Sequence, residues 1–302
     1  MKKWMLLSLV LLLLFGCAAQ AETIEAYGQT IDVNAQVLDL GKTKVEDFEK
    51  FKEVLRSLPN LTQVNMFNTR MERDVMAALT QEFPQIKFGW TLRANKYRIR
   101  TDASAFSTLR KVDEKPRLKS SVYEVLYYCS DLQALDLGHN DITDISFLAG
   151  MPHLKYLILA DNEISDITPI ANLQELEYLE LFMNDITDLT PLTKLPNLID
   201  LNLCQMRLDD ITPLYEMKQL KRLWISRRKP EFTDEEIAKL KEALPDCEIN
   251  VTAISCTGEG WRSHPRFFAV KNTFRKDQVF MEWTQEERDY SGVYPYKDAP
   301  QR

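Results

Sequence analysis

Histidine, glycine and cysteine are scarce in this 302-residue chain, which has 3 His, 9 Gly and 5 Cys. Three histidines argue against a histidine-rich metal site, and nine glycines exclude a collagen-like sequence. Five cysteines are too few for a small fold built on disulfides. The remaining composition, 45% hydrophobic and 27% charged, is that of a globular protein and excludes prion-like or wholly disordered classes.

Positive charge is also in short supply, with 38 Lys and Arg against 45 Asp and Glu and a net charge of −7. A basic footprint over the whole chain is therefore absent, and we expect no nucleic-acid partner. The motifs H-E-x-x-H, G-x-S-x-G, Walker A and G-x-G-x-x-G do not occur in the sequence. We therefore expect a protein that is not an enzyme and that uses no cofactor or metal.

The first 21 residues predict an export signal. Lys2 and Lys3 precede an apolar run at 4–15 that is too short to span a bilayer. Two cleavage sites fit: the segment ending at Cys17 resembles a bacterial lipobox, whose Cys is lipidated, whereas Ala19-Gln20-Ala21 fits an ordinary signal peptidase. An uncleaved anchor is the third alternative. All three predict an extracytoplasmic protein at the cell surface or envelope, either held to the membrane by a lipid anchor at Cys17 or secreted.

A 22-residue repeat occupies the middle of the chain. Its first, fourth and sixth positions are Leu132, Leu135 and Leu137, and the same triplet recurs from 154, 176, 198 and 220, with Ile225 as the one replacement. Positions four and six alternate like a strand with both side chains facing inward. The ninth position is Asn140, Asn162 and Asn184 in successive copies. An Asn amide can bond the backbone of a bend and tolerates an unusual φ.

This pattern, L-x-x-L-x-L-x-x-N-x-I, is that of leucine-rich repeats, and its short form with D-I-T-P-L turns resembles the repeats of bacterial internalins. The resemblance covers 132–226 firmly and 35–251 loosely. It implies an α/β solenoid: a curved parallel sheet with helices or 3₁₀ turns on its convex side. It also implies a protein-binding architecture, which does not identify a ligand. The chain lacks an L-P-x-T-G wall-sorting motif and an immunoglobulin-like module after the repeats.

The flanks predict longer helical repeats that cap the two ends of the solenoid. Helices are expected at 45–58, 71–83 and 233–244, a β-hairpin with one basic edge at 86–100, the helical half of a coil with a buried Cys129 at 119–129, and a closing strand at 248–251. Thr-Pro pairs at 168, 190 and 212 predict a Thr N-cap followed by Pro in each turn. The predicted organisation is a signal peptide at 1–21, atypical repeats with a cap and hairpin at 22–131, 22-residue repeats at 132–226, a cap at 227–256 and a basic-aromatic extension at 257–302.

The outward strand positions of the repeats form the candidate binding surface. Several of them carry aromatic, apolar or charged side chains where solubility alone would favour Lys, Glu, Thr or Ser. The candidates are Tyr156, Ile158, Tyr178, Glu180, Phe182, Asp200, Arg222 and Trp224. Aromatic residues and Arg are favoured at binding hot spots. We therefore predict that this concave face recognises a protein partner; the alternative is that the extension after 257 folds back and covers it.

The extension itself has two interpretations. Its aromatic and basic residues are Trp261, Phe267, Phe268 and Phe274 with Arg262, Arg266, Lys271, Arg275 and Lys276. Either the aromatics pack on the C-terminal cap, or the segment binds an anionic envelope polymer or lipid headgroup. The second interpretation would make the chain a structural or assembly component of the cell envelope.

Aspartates and cysteines leave further alternatives open. Asp144, Asp166, Asp188 and Asp210 recur at position thirteen. They can hold Ca²⁺ or accept backbone N–H groups in their own turns, and the second account explains the spacing without a metal. Cys247 and Cys256 could pair in an oxidising compartment. Cys204 stands at an outward position, which predicts an exposed thiol.

Overall fold

Two parallel β-sheets and two hairpins make up the β-structure of the described chain. The computed structural model describes residues 22–108, 116–227, 231–252, 255–258, 260–275, 278–293 and 295–296. The predicted export signal, with Cys17 and both cleavage sites, lies outside these residues.

The amino-terminal part holds a hairpin followed by a three-stranded parallel sheet. Its elements are β1 (Thr23–Ala26), β2 (Gln29–Asp32), β3 (Val37–Asp39), α1 (Phe48–Arg56), β4 (Gln63–Asn65), α2 (Arg73–Glu82) and β5 (Lys87–Gly89). Both helices were predicted, with ends a few residues longer than observed. The side chain of Asp47 caps α1 by accepting from the backbone N–H of Lys50. Leu38, Val64 and Phe88 lie side by side in the register of the sheet and face the core.

A second hairpin joins the two parallel sheets. Strands β6 (Thr91–Ala94) and β7 (Tyr97–Arg100) are antiparallel, and Asn95 in their turn has a φ of 55°. The prediction of a hairpin at 86–100 is therefore confirmed for the turn at Asn95. It is wrong for the first residues of that range, because β5 pairs with β4 and not with β7. Leu92 and Ile99 are cross-strand partners with buried side chains, so that face of the hairpin packs on the core.

The repeats build a seven-stranded parallel sheet in which neighbours in sequence are neighbours in space. Its strands are β8 (Ala105–Ser107), β9 (Ala134–Asp136), β10 (Tyr156–Ile158), β11 (Tyr178–Glu180), β12 (Asp200–Met206), β13 (Arg222–Arg227) and β14 (Glu248–Asn250). The fourth-position leucines stack in register across β9 to β13. Strand β8 consists of only three residues, Ala-Phe-Ser, whose pattern is weak, and the sequence analysis did not predict this strand.

The Asn side chains of the ninth position close successive coils. Asn162 donates to the carbonyl of Leu159 at 2.9 Å and accepts from the N–H of Ile142, in the preceding coil, at 3.1 Å. Asn184 repeats both bonds one coil later. The expected unusual φ belongs instead to the eighth position: His139, Asp161, Met183 and Gln205 have φ between 53° and 60°. The bonding prediction is confirmed and the position of the backbone twist is corrected by one residue.

Short 3₁₀ turns cover the convex side. They are Ser120–Val122, Glu124–Tyr128, Ser146–Gly150, Thr168–Asn172, Thr190–Lys194 and Thr212–Glu216. Each of the four repeated aspartates accepts the N–H two residues later, as Asp166 does from Thr168, at 2.8 Å. The turn interpretation of these aspartates is thus confirmed. The predicted Thr N-caps are wrong, because the carboxylate before each Thr satisfies the N–H instead.

The carboxyl-terminal part begins with α3 (Asp234–Ala243), which opens with a capping box between Thr233 and Glu236. Beyond β14 the chain forms a 3₁₀ turn (Trp261–Ser263), α4 (Pro265–Thr273) and α5 (Gln285–Asp289). We call the described residues from 255 onward the tail. None of the described helices combines the length and apolar character needed to cross a bilayer.

Candidate functional site

Seven of the eight candidate binding residues lie at outward positions of strands β10 to β13 as predicted, and Phe182 lies two residues beyond the end of β11, yet none is accessible. Tyr156, Tyr178, Glu180, Asp200, Arg222 and Trp224 are at most 1% exposed, and Ile158 and Phe182 at most 5%. The expectation of an open concave face is therefore wrong. Cys204, predicted to be an exposed thiol, is fully buried on the same face.

The tail covers this face. Trp261 lies between Tyr178 and Trp224, with ring centroids 5.6 and 5.2 Å away, and Trp283 lies 5.2 Å from Tyr156. Together with Phe267, Ala269 and Val270 they form a second hydrophobic core, separate from the core inside the solenoid. The tail aromatics thus pack on the concave sheet and not on the C-terminal cap, because the sheet offers aromatic partners there.

Asp200 is the centre of a buried ion-pair network between sheet and tail. Arg222 from the next strand approaches it at 2.9 Å and Arg266 from α4 at 2.7 Å, and all three side chains are at most 1% exposed. Burial alone would raise the pKa of Asp200, but the two guanidinium groups lower it to about 2. The carboxylate therefore stays ionised and holds α4 against β12.

Glu180, the last residue of β11, is the centre of a second network of ion-pair and hydrogen-bond contacts with the tail. Its carboxylate binds Arg262 at 2.6 Å, accepts from the indole N–H of Trp261 at 2.8 Å and accepts from the Tyr178 hydroxyl. Burial works against the charge of Arg262, yet Glu180 raises the pKa of that guanidinium above its ordinary value. Arg262 and Arg266 are thus directed inward, and the polymer-binding interpretation of the tail loses two of its cations.

Polar bonds also fix the tail along its length. Asn202 donates to the carbonyl of Cys256 at 2.6 Å, and Arg222 donates to the carbonyl of Trp261 at 2.9 Å. Further on, Tyr156 donates to the carbonyl of Met281 at 3.1 Å. These bonds place the tail in one register along the sheet.

The other titratable groups of this region do not assemble into a reactive site. Burial and the guanidinium of Arg222 lower the pKa of His264 to about 2, so the imidazole is neutral. Burial raises the pKa of the Cys247 thiol to about 12, which removes its nucleophilic form. No disulfide joins Cys247 to Cys256. The described residues contain no group of three or more His, Cys, Asp or Glu that could hold a metal ion.

Sequence reasoning missed a different surface, which we call the open face. It consists of the outward side of β3–β5 with Phe67, and the outward side of the β6–β7 hairpin. Val37 is 52% exposed, and Gln63 and Asn65 are half-buried, with the Gln63 amide donating to Asn65 at 2.8 Å. The guanidinium of Arg100 lies 3.6 Å from the centroid of the Phe67 ring and joins the two parts. The signal available in the sequence was the row of basic residues on the hairpin.

Comparisons with known proteins agree with the repeat architecture. A family model of two leucine-rich repeats matches residues 130–172. An internalin (InlF) from Listeria monocytogenes is similar with a TM-score of 0.41 and 20% identity over 75% of this chain and 72% of that one. Internalin C2 of the same species is similar with a TM-score of 0.33 and 21% identity over 78% of this chain and 83% of that one. A leucine-rich repeat protein from Leptospira interrogans is similar with a TM-score of 0.40 and 21% identity over 65% of this chain and 50% of that one. No curated protein sequence matches the chain. The TM-scores are low, so the fold assignment rests on the repeats and the sheet themselves.

Proposed function

We propose that this chain is an exported, non-enzymatic binding protein for a protein partner, and that it binds this partner through the open face. Leucine-rich repeats are an architecture suited to protein binding, but the ligand must be inferred from the surface. One observation carries the proposal: the eight candidate residues on the concave face are at most 5% exposed. The partner must therefore be met by a surface that the tail leaves accessible.

Displacement of the tail is an unfavourable route to the concave face. It would separate Asp200 from Arg266 and Glu180 from Arg262. It would also expose Tyr156, Tyr178 and Trp224 together. That these residues bind a partner directly remains a prediction, which requires the tail to leave.

Site-specific crosslinking of the full exported chain on intact cells tests the choice of surface. A photo-crosslinking residue is placed at Val37 on the open face, at Gln285 on the outer side of the tail, or at Lys194 on the convex side; all three positions are exposed. We expect one protein to crosslink from position 37 and not from 194. Crosslinking from 285 alone would contradict the proposal.

The effect of weakening the tail separates our proposal from recognition by the concave face. Trp261→Ala removes the ring between Tyr178 and Trp224. If the partner needed the concave face, this variant would capture more partner per folded molecule. We expect the Trp261→Ala variant to crosslink the same amount of partner from position 37 as the original chain when the amount of folded protein is matched.

Export is tested at the mature amino terminus. The proposal includes a lipid on Cys17, because this residue follows Gly16 at the end of a short apolar run. Mass spectrometry of the purified mature protein should find a diacylated Cys17. A mature chain beginning at Glu22 would leave plain secretion, without the membrane anchor.

A further inference from the structure

The β6–β7 hairpin presents two arginines directly opposite each other. Arg93 and Arg98 are cross-strand partners. Their neighbours Leu92 and Ile99 face the core, and side chains alternate along a strand, so both guanidinium groups project outward. Both are exposed, as is Lys96 in the turn. The hairpin therefore presents Arg93 and Arg98 together on its outward side, with Lys96 at its turn, where the ammonium lies 5.5 Å from the centroid of the Tyr97 ring.

These cations have no carboxylate partner among the described residues. Other arginines of the chain do, including Arg100 with Asp102 at 2.6 Å and Arg117 with Asp141 at 2.5 Å. Like charges directly opposite on a strand pair destabilise it. The chain contains more acidic than basic residues, so a cross-strand Arg pair does not follow from its average composition. No contact within the described part of the chain accounts for the pair, which points to a ligand.

We propose that Arg93 and Arg98, with Lys96, dock an acidic segment of the protein partner. This inference rests on the proposed function and names the chemistry of the partner at the open face. Directly opposite residues have Cβ atoms about 4.5–5.5 Å apart, so two guanidinium groups can bind one carboxylate or two adjacent ones. Arg presents a planar fork that matches a carboxylate with two hydrogen bonds. The amides of Gln63 and Asn65 lie on the adjoining sheet and suit the backbone of an extended peptide.

Two observations favour a peptide over a membrane or a polyanion. A membrane-binding surface combines cations with apolar side chains that enter the lipid. The large exposed hydrophobic residues of the described chain are Val37, Tyr127, Val279 and Val293, and none lies on the hairpin. The patch also contains three cations without a carboxylate partner among the described residues, which is short for a long polyanion and sufficient for one or two carboxylates.

Binding of a labelled ten-residue glutamate peptide to the full chain tests the proposal by fluorescence anisotropy at low salt. The double variant Arg93→Ser, Arg98→Ser should weaken binding at least about tenfold, because hydrogen bonds between charged groups are roughly twice as strong as those between neutral groups. The matched control is Lys194→Ser, Lys271→Ser, which removes two other exposed cations without ion-pair partners among the described residues. It should change affinity less than about twofold.

Equal losses in the two double variants would overturn the proposal, since binding would then depend only on net charge. Preferential binding of phosphatidylglycerol vesicles or of dextran sulfate through Arg93 and Arg98 would also overturn it and assign the hairpin to a membrane or a polymer. Crosslinking from Val37 reports on the proposed function separately. If the partner still crosslinks to the double variant with undiminished yield, binding through the open face is supported, but the proposal that the hairpin docks an acidic segment is contradicted. If the peptide binds the hairpin but no protein crosslinks, the proposed function fails.

Discussion

The two parallel sheets of this chain differ in whether their outward sides are buried. The seven-stranded sheet carries Tyr156, Tyr178 and Trp224 there, interleaved with Asp200 and Glu180, and all are buried beneath the tail. The three-stranded sheet has no aromatic residue at the outward positions of its strands, and Val37, Asp39, Gln63, Asn65 and Lys87 there are exposed or half-buried. Both sheets are built from coils with the same inward pattern of apolar residues. The outward positions alone distinguish a sheet that is covered from one that is not.

The physical reason is the cost of leaving each kind of side chain in the wrong environment. A large aromatic side chain buries about 150–250 Å², and burial stabilises by about 25 cal/mol per Å², so several together favour a cover. Once covered, Asp200 and Glu180 need cations, because an unpaired buried charge is strongly unfavourable. Arg266 and Arg262 of the tail supply them. Gln63 donates to Asn65 on the open face, and the uncharged amides of both residues require no cover.

Breaking the network around Asp200 should give the largest contrast between the sheets. Asp200→Ala leaves Arg222 and Arg266 buried without their carboxylate, and we expect a loss of about 3–5 kcal/mol in the free energy of unfolding at pH 7. The control is Asp131→Ala, which removes the partly exposed partner of Lys87 near the open face and should cost at most about 1 kcal/mol. Denaturant titration measures both. Comparable losses would mean that the tail is not packed as described.

Removing Trp224 tests the aromatic part of the same cover. Trp224→Ala should destabilise the fold by about 3–5 kcal/mol, at least as much as a core change such as Leu179→Ala at about 2–5 kcal/mol. Val37→Ala on the open face should cost under about 0.5 kcal/mol, because Val37 is mostly exposed. A Trp224 variant with native stability and reduced partner capture would restore the concave face as the binding site.

Two buried carboxylates of the covered sheet should respond to pH in opposite directions. Asp200 has its pKa lowered from 3.8 to about 2, so it contributes about 2 kcal/mol of stability that is present above pH 3.8 and lost as pH falls towards 2. Burial, and then the charge of Glu180, raise the pKa of Asp136 above 3.8. The stability that Asp136 contributes is therefore present below pH 3.8 and lost as pH rises through its folded-state pKa.

Asp136→Asn isolates the second effect, since the amide oxygen can still accept from the N–H of Gly138. The stability of this variant relative to the original chain should increase from pH 4 to pH 7. Urea titrations at several pH values measure that difference. A difference that stays constant with pH would show that Asp136 is ionised in the fold without penalty.

The sequence predicted the solenoid well because its inward positions repeat. Leu135, Leu157 and Leu179 are spaced so regularly that strand register follows directly from the residue numbers. Helices α1 and α3 were predicted because their apolar periodicity and their stop signals, Pro59 and Pro245, are local. Strand β8 was missed because its pairing with β9 is a long-range property that three residues do not encode.

The state of the concave face could not be derived from local pattern, because burial there depends on contacts with the tail, which lie 39 residues away in sequence for Arg222 and 125 for Tyr156. Tyr178 has the same side chain whether it binds a partner or Trp261. A global balance of charges contained the missing information: Glu180 and Asp200 stand at outward positions, and Arg262 and Arg266 lie in an aromatic segment. Opposite charges accompanied by aromatics on both sides predict that the two surfaces meet.

The smallest expected effect concerns the hairpin of the open face, where removing a side chain should stabilise the protein. Arg93→Thr relieves the like-charge pair with Arg98 and places a β-branched residue on a strand, so we expect a gain of about 0.2–1 kcal/mol at low salt. The charge component should disappear at about 1 M salt, where screening acts over about 3 Å. Arg100→Thr is the contrasting variant, because it breaks the pair with Asp102 and the contact with Phe67 and should lower stability. Thermal unfolding at two salt concentrations measures both variants. A salt-independent loss in Arg93→Thr would mean that Arg93 already holds a partner within the chain, and Arg93 would then not be available to an acidic ligand.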